Sequence, residues 1–144
     1  MDRLNLINQT IKSIILFLIM GFVYMLIEYV WRSTWYWQMY PIGGLSGLLI
    51  GYINEFFDWK TPLWKQVLIG DLVVLGVEFI SGLILNVWLG FNIWDYSMLL
   101  FNVCGQVSLL YAVLWLPVVL FGIVLDDLLR WFIFGEKFEG YNIL

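Results

Sequence analysis

Apolar residues dominate four stretches of this chain, each close to the roughly 20 residues needed to cross the hydrocarbon core of a bilayer. They run about Ser13–Trp31, Trp37–Phe57, Lys65–Trp88 and Phe101–Asp126. Each also carries a polar stripe that lipid would not tolerate. The connections are short except for Gly90–Leu100, and the tail Leu128–Leu144 alternates aromatic and charged residues. This pattern predicts an all-α protein: one domain over residues 1–144, an integral membrane bundle of four transmembrane helices. Pro117, near the middle of the fourth stretch, predicts a kink, because proline removes a backbone hydrogen bond and crowds the preceding turn. The tail is expected either to continue the fourth helix or to lie along the membrane surface.

The polar stripes hold the candidate chemistry. At 100° per residue Asp71, Glu78, Gly82 and Asn86 share one narrow face of the third helix. In the first helix Gly21, Met25, Glu28 and Arg32 form a matching stripe, with Glu28 and Arg32 spaced to pair at i, i+4. A charge at the bilayer centre costs at least ~2.5 kcal/mol, so these groups must face protein or water. Glu78 has no basic residue within helical reach, so it needs a partner from another helix or a proton. The fourth stretch adds Asn102 and Gln106 one turn apart, then Tyr111. Gly43, Gly47 and Gly51 recur every fourth residue in the second helix, with Glu55 one turn further on. Such a strip lets another backbone approach closely, within the chain or from a second copy, and a homo-oligomer, most simply a dimer, is expected.

Charge sets the orientation. Of seven Lys and Arg residues, Arg3, Lys12, Lys60, Lys65, Arg130 and Lys137 fall on one side and only Arg32 on the other. The positive-inside rule then predicts a multi-pass cell-membrane protein with both termini cytoplasmic. Aromatic clusters at Trp31–Tyr40 and at Trp59, Trp64, Trp131 and Phe132 fit the two interfacial belts. The run after Arg3 and Lys12 is too long for a signal peptide and lacks a small-residue cleavage site, so it reads as the first membrane helix.

Composition removes several function classes. Hydrophobic residues make up 62% and charged residues 12%, which leaves no room for a nucleotide-binding domain or a basic nucleic-acid surface. There is no histidine, and Cys104 is the only cysteine. No metal site, cofactor, internal disulfide, or Ser-His or Cys-His catalytic pair is expected. An intramembrane enzyme would have to work with carboxylates alone.

The stretch Val77–Leu85, then Ile93-Trp94-Asp95-Tyr96-Ser97, then Phe101-Asn102 and Gly105, resembles a four-helix membrane family. Its bacterial members are labelled CmpB-type ABC transporter permeases, and its vertebrate members include transmembrane protein 229. The resemblance covers about Gly76–Pro117, with Gly21 and Glu28 a looser match in the first half. It implies the same four-helix topology and singles out Glu78, Phe79, Gly82, Trp94, Asp95, Tyr96 and Ser97. It attaches no substrate. In the outer loop, Trp94 and Tyr96 are expected to anchor at the headgroups, and Asp95 to accept from the N–H groups that follow it. Glu28-Tyr29-Val30 and Glu78-Phe79-Ile80 also echo each other, as in a parallel repeat of two hairpins.

Two functional expectations follow. One is a small transport protein, a channel or permease component, moving an unidentified solute or ion past Glu78 and Asp71. The other is a non-transporting scaffold or accessory subunit that binds a partner membrane protein, an ATPase subunit or a lipid. A wet vestibule reaching Glu78 favours the first. A dry, fully bonded Glu78 favours the second.

Overall fold

A computed structural model describes residues 3–144, which form helices with no β-strand among the described residues. The elements are α1 (Arg3–Arg32), α2 (Met39–Gly51), the one-turn α3 (Ile53–Phe56), α4 (Leu63–Gly82) and α5 (Leu109–Phe134). A π-helical segment, Leu83–Trp88, extends α4. Three helices are long and apolar enough to cross a membrane: α1, α4 with its π extension, and α5.

Local chemistry sets the helix ends. Pro41 falls in the first turn of α2, where its missing N–H would have had no partner. Ser108 caps α5 by accepting from the Tyr111 N–H at 3.4 Å. At the other end Gly135 adopts φ +66°, the left-handed conformation that closes a helix. Its N–H and that of Glu136 bond back to the Trp131 and Arg130 carbonyls at 3.2 and 3.1 Å.

Two boundaries differ from the sequence expectation, and the tail first takes one of its two expected courses by continuing the helix. The helix expected over 37–57 breaks at Tyr52, leaving α2 with 13 residues. At 1.5 Å per residue that is about 20 Å, against a core of about 30 Å. The long connection supplies what α2 lacks: Ile93 and Trp94 fold over Met39 at its start and are buried with it. The fourth helix begins at Leu109, not near Phe101. Positive φ angles at Phe101, Cys104 and Gly105 stop a helix from starting earlier, so Asn102 and Gln106 lie in the loop. The tail stays helical to Phe134 and then turns back onto the bundle. There Asn142 O accepts from the Leu63 N–H at 2.7 Å, and Asn142 Nδ2 donates to the Lys60 carbonyl at 2.9 Å.

The core lies where α2 meets α4 and α5, around Ile50, Ile53, Val74, Trp115, Val119 and Ile123. The glycine strip makes this packing possible. A Cβ on Gly47 would lie 2.5 Å from Met20 Cβ of α1, while one on Gly43 would overlap Tyr24 and one on Gly51 would overlap Asp126 of α5. The strip is therefore occupied within the chain, by two different helices.

Candidate functional site

The stripe of α4 is buried: Asp71, Glu78, Gly82 and Asn86 all face protein. Glu78 is 7% exposed, and each of its oxygens takes one neutral donor. Tyr96 OH donates to Oε1 at 3.0 Å, and Trp115 Nε1–H donates to Oε2 at 3.1 Å. The partners come from the loop and from α5, so Glu78 ties three parts of the chain together.

Ring stacking carries the arrangement further. Trp115 stacks on Tyr24 of α1 with centroids 5.7 Å apart, and Tyr96 stacks on Tyr111 of α5 at 4.1 Å. Tyr24 OH donates to Glu28 Oε1 at 3.1 Å, and Arg32 Nε donates to Glu28 Oε2 at 2.7 Å. Arg32 is thus held in the protein, its Nη1 donating to the Ile93 carbonyl at 2.8 Å. From Ile93 the network continues through its N–H to Asn86 Oδ1 at 2.7 Å, and from Asn86 Nδ2 to Gln106 Oε1 at 2.9 Å. The sequence candidates Glu28, Arg32, Glu78, Asn86 and Gln106 are therefore joined in one connected seam.

The loop of residues 89–108 is held in place by a set of its own hydrogen bonds. Trp94 is buried, and its Nε1–H donates to the Gln106 carbonyl at 3.1 Å. With Tyr96 turned in to Glu78 and stacked on Tyr111, and Trp94 buried beside Met39, both rings pack against protein and not as the headgroup anchors expected of them. Asp95 does what its position suggests, accepting from the Ser97 N–H at 2.8 Å. That bond holds its carboxyl below the usual carboxylate range. Burial, and then the Glu78 carboxylate beside it, push the Tyr96 phenol well above its ordinary value. Asn102 Nδ2 donates to the Ser97 and Leu99 carbonyls, at 3.1 and 2.8 Å, and its Oδ1 accepts from the Gly105 N–H at 3.0 Å. Gly105, at φ +70°, has no space for a side chain: a Cβ would sit 2.9 Å from Asp95 Oδ1.

Asp71 stands apart from the seam. It has no hydrogen bond among the described residues, and its Oδ1 is buried without a partner. The chain also holds a second polar group at the other end of the bundle, around Arg130. Arg130 Nε donates to Asp126 at 2.5 Å and Nη1 to Glu55 at 3.2 Å, while Lys12 bonds Glu136 of the tail. A polar cavity of about 210 Å³ lies there, lined by Glu55, Asp127, Arg130 and Lys137 among others. No cluster of potential metal ligands occurs among the described residues.

Two clefts approach the seam. One, about 490 Å³ and almost wholly apolar, lies between α1 and α5, lined by Leu26, Glu28 and Trp31 on one side and Tyr111, Leu114 and Trp115 on the other. The other is a small apolar void of about 50 Å³ beside Tyr24 and Trp115. Glu78 lines neither. The seam's aromatic members Tyr24 and Trp115 are absent from the polar stripes; their only sequence signal is an aromatic residue deep inside an apolar run. No protein-family model, curated protein or solved structure matches the chain.

Proposed function

We propose that this chain is a four-helix integral protein of the cell membrane, with cytoplasmic termini and a kink at Pro117, that acts by binding rather than by conduction. In this reading it is an accessory or scaffold subunit holding a partner membrane protein or a lipid. The observation that carries it is the bonding of Glu78. Both oxygens are taken by protein donors, and the cavities beside it are apolar and do not reach it. An ion path needs water at its carboxylate, and the cleft and void nearest Glu78 are apolar and are not lined by it. Kinship with the CmpB-type permeases and transmembrane protein 229 belongs to the same proposal and rests on the resemblance over about Gly76–Pro117.

The six-to-one distribution of basic residues supports cytoplasmic termini. A dimer would need a face other than the glycine strip, which α1 and α5 occupy. The transport reading keeps one point in its favour, the cleft between α1 and α5 that Glu28 lines. Glu78→Gln separates the two. The amide keeps an acceptor for Trp115 or Tyr96 and the size of the acid, so a scaffold expects the same fold, and proteoliposomes of wild type and variant no leakier to protons than empty vesicles. Saturable, pH-dependent flux in the wild type that the glutamine variant loses would overturn the binding reading. Glu78→Leu, by leaving both donors unsatisfied, should cost about 1–3 kcal/mol of stability in either case.

A further inference from the structure

The loop of residues 89–108 has two faces. Ile93, Trp94, Gln106 and Ser108 are buried against the rest of the chain. The tip, residues 98–103, holds bulky apolar side chains away from it: Met98 is 94% exposed, Leu100 82% and Phe101 78%. Phe101 keeps φ +54°, an uncommon conformation for a bulky residue, although its ring gains little contact with the protein. Exposed apolar patches of this kind mark surfaces that meet a partner or a membrane.

Three observations point to lipid as the cover. Between Glu78 and Asp126 the only charged residue is Asp95, so nothing charged borders the tip except one carboxylate already held by the Ser97 N–H. The loop also satisfies much of its backbone from its own side chains. Asn102 serves the Ser97 and Leu99 carbonyls and the Gly105 N–H. Gln106 Nε2 donates to the Cys104 carbonyl at 3.0 Å, and Asn92 Nδ2 to the Gly90 carbonyl at 3.1 Å. Irregular backbone near lipid needs this, because water is not there to replace a missing partner. Finally, α5 rises only about 25 Å from Leu109 to its first carboxylate at Asp126, against a hydrocarbon core of about 30 Å. The apolar tip that precedes α5 supplies the missing part. Asp95 is itself exposed and sets the depth: the boundary of headgroups and acyl chains, not the bilayer centre.

We propose that the loop tip is a lipid-binding surface, with Met98, Leu100 and Phe101 inserted at the headgroup–acyl boundary of the leaflet on its side. These residues take the anchoring place that Trp94 and Tyr96 leave. The proposal rests on the membrane reading of the chain and not on whether the chain binds a partner or carries a solute.

The test uses the full chain with Cys104→Ser, reconstituted in phosphatidylcholine liposomes, with a single cysteine carrying an environment-sensitive fluorophore. Met98→Cys and Leu100→Cys report on the tip, in separate samples; both side chains touch little protein, so the fold tolerates either change. Leu120→Cys, midway along α5, is the deep reference, and Lys137→Cys, 84% exposed in the tail, is the water reference. Both tip labels should be quenched at least about twofold more by lipids with a nitroxide near the headgroup than by lipids with one near the chain end. Aqueous iodide should quench them at least about threefold less than the Lys137→Cys label. Iodide quenching equal to that label would place the tip in water. Protection from iodide and from both nitroxide lipids would place a protein surface over it, from a second copy or another chain. Either result overturns the proposal. A Leu120→Cys label reached by iodide and by neither nitroxide lipid sinks the membrane reading itself.

Discussion

Arg130 is 4% exposed in α5 and pairs with three carboxylates from different parts of the chain: Asp126 one turn before it, Glu55 beyond α2 and, at 3.8 Å, Glu136 of the tail. Asp126 is fully buried, so removing the guanidinium would leave a charge with neither water nor a counter-ion. Breaking a buried pair in this way costs about 3–5 kcal/mol. Arg130→Met should therefore lower the denaturation midpoint in mild detergent sharply. Arg130→Lys should recover only part of it, because an ammonium lacks the planar fork that serves Asp126 and Glu55 together. A methionine variant as stable as wild type would show the pair to be dispensable. The Asp126–Arg130 spacing is legible in the chain, since residues four apart share a helix face; its burial is not. The same limit holds for Glu78. Its lack of a cation within the helix can be read from the stripe, but Trp115 stands 37 residues away and Tyr96 18, and no local rule brings them together.

Among the elements, α2 shows most clearly what periodicity conveys and what it hides. The four-residue glycine spacing correctly marks a face of close approach, yet it does not say which neighbour approaches. The structure gives Tyr24 and Met20 of α1 and Asp126 of α5. Gly47→Leu should consequently act on the fold itself. Its side chain would meet Met20 at the α1–α2 contact, and overpacking of this kind typically costs about 1–3 kcal/mol. The expected outcome is a lower thermal midpoint in detergent with no change in oligomeric state by native mass spectrometry. A variant that keeps its midpoint but dissociates from dimer to monomer would show instead that the strip faces a second copy. The long helices α1, α4 and α5 are readable because their sequence is apolar over many turns. The start of α5 is not, because the run from Phe101 is as apolar as a helix and only the positive φ angles at Phe101, Cys104 and Gly105 exclude one.

Across the whole molecule, the two ends of the bundle are closed by different chemistry. The loop end is held by neutral donors around Glu78, Asn86 and Gln106 with one ion pair, Glu28–Arg32, and the tail end mainly by ion pairs around Arg130 and Glu136. Tyr141 OH donates to Asp127 at 2.6 Å while its ring meets Trp59 and Phe138, which pins the chain after Gly135 across the turn before α4. Burial first, and then the bond to Asp127, push the Tyr141 phenol above its ordinary value of 10.0. A group whose pKa is raised on folding stabilises the folded form fully below its unfolded pKa and loses that contribution as pH rises toward the folded one. From neutral pH up to about 10 the tail contact should therefore hold, and it should weaken only above that range. Spin labels on positions 60 and 143 would follow it: a short, narrow distance from neutral pH to the phenol range, broadening beyond. In Tyr141→Phe the distance should already be broader at neutral pH, and the alkaline transition should be missing. If that variant keeps the narrow distance, the tail is pinned by Asn142 and the ring contacts alone, and the Tyr141–Asp127 bond has no part in closing this end.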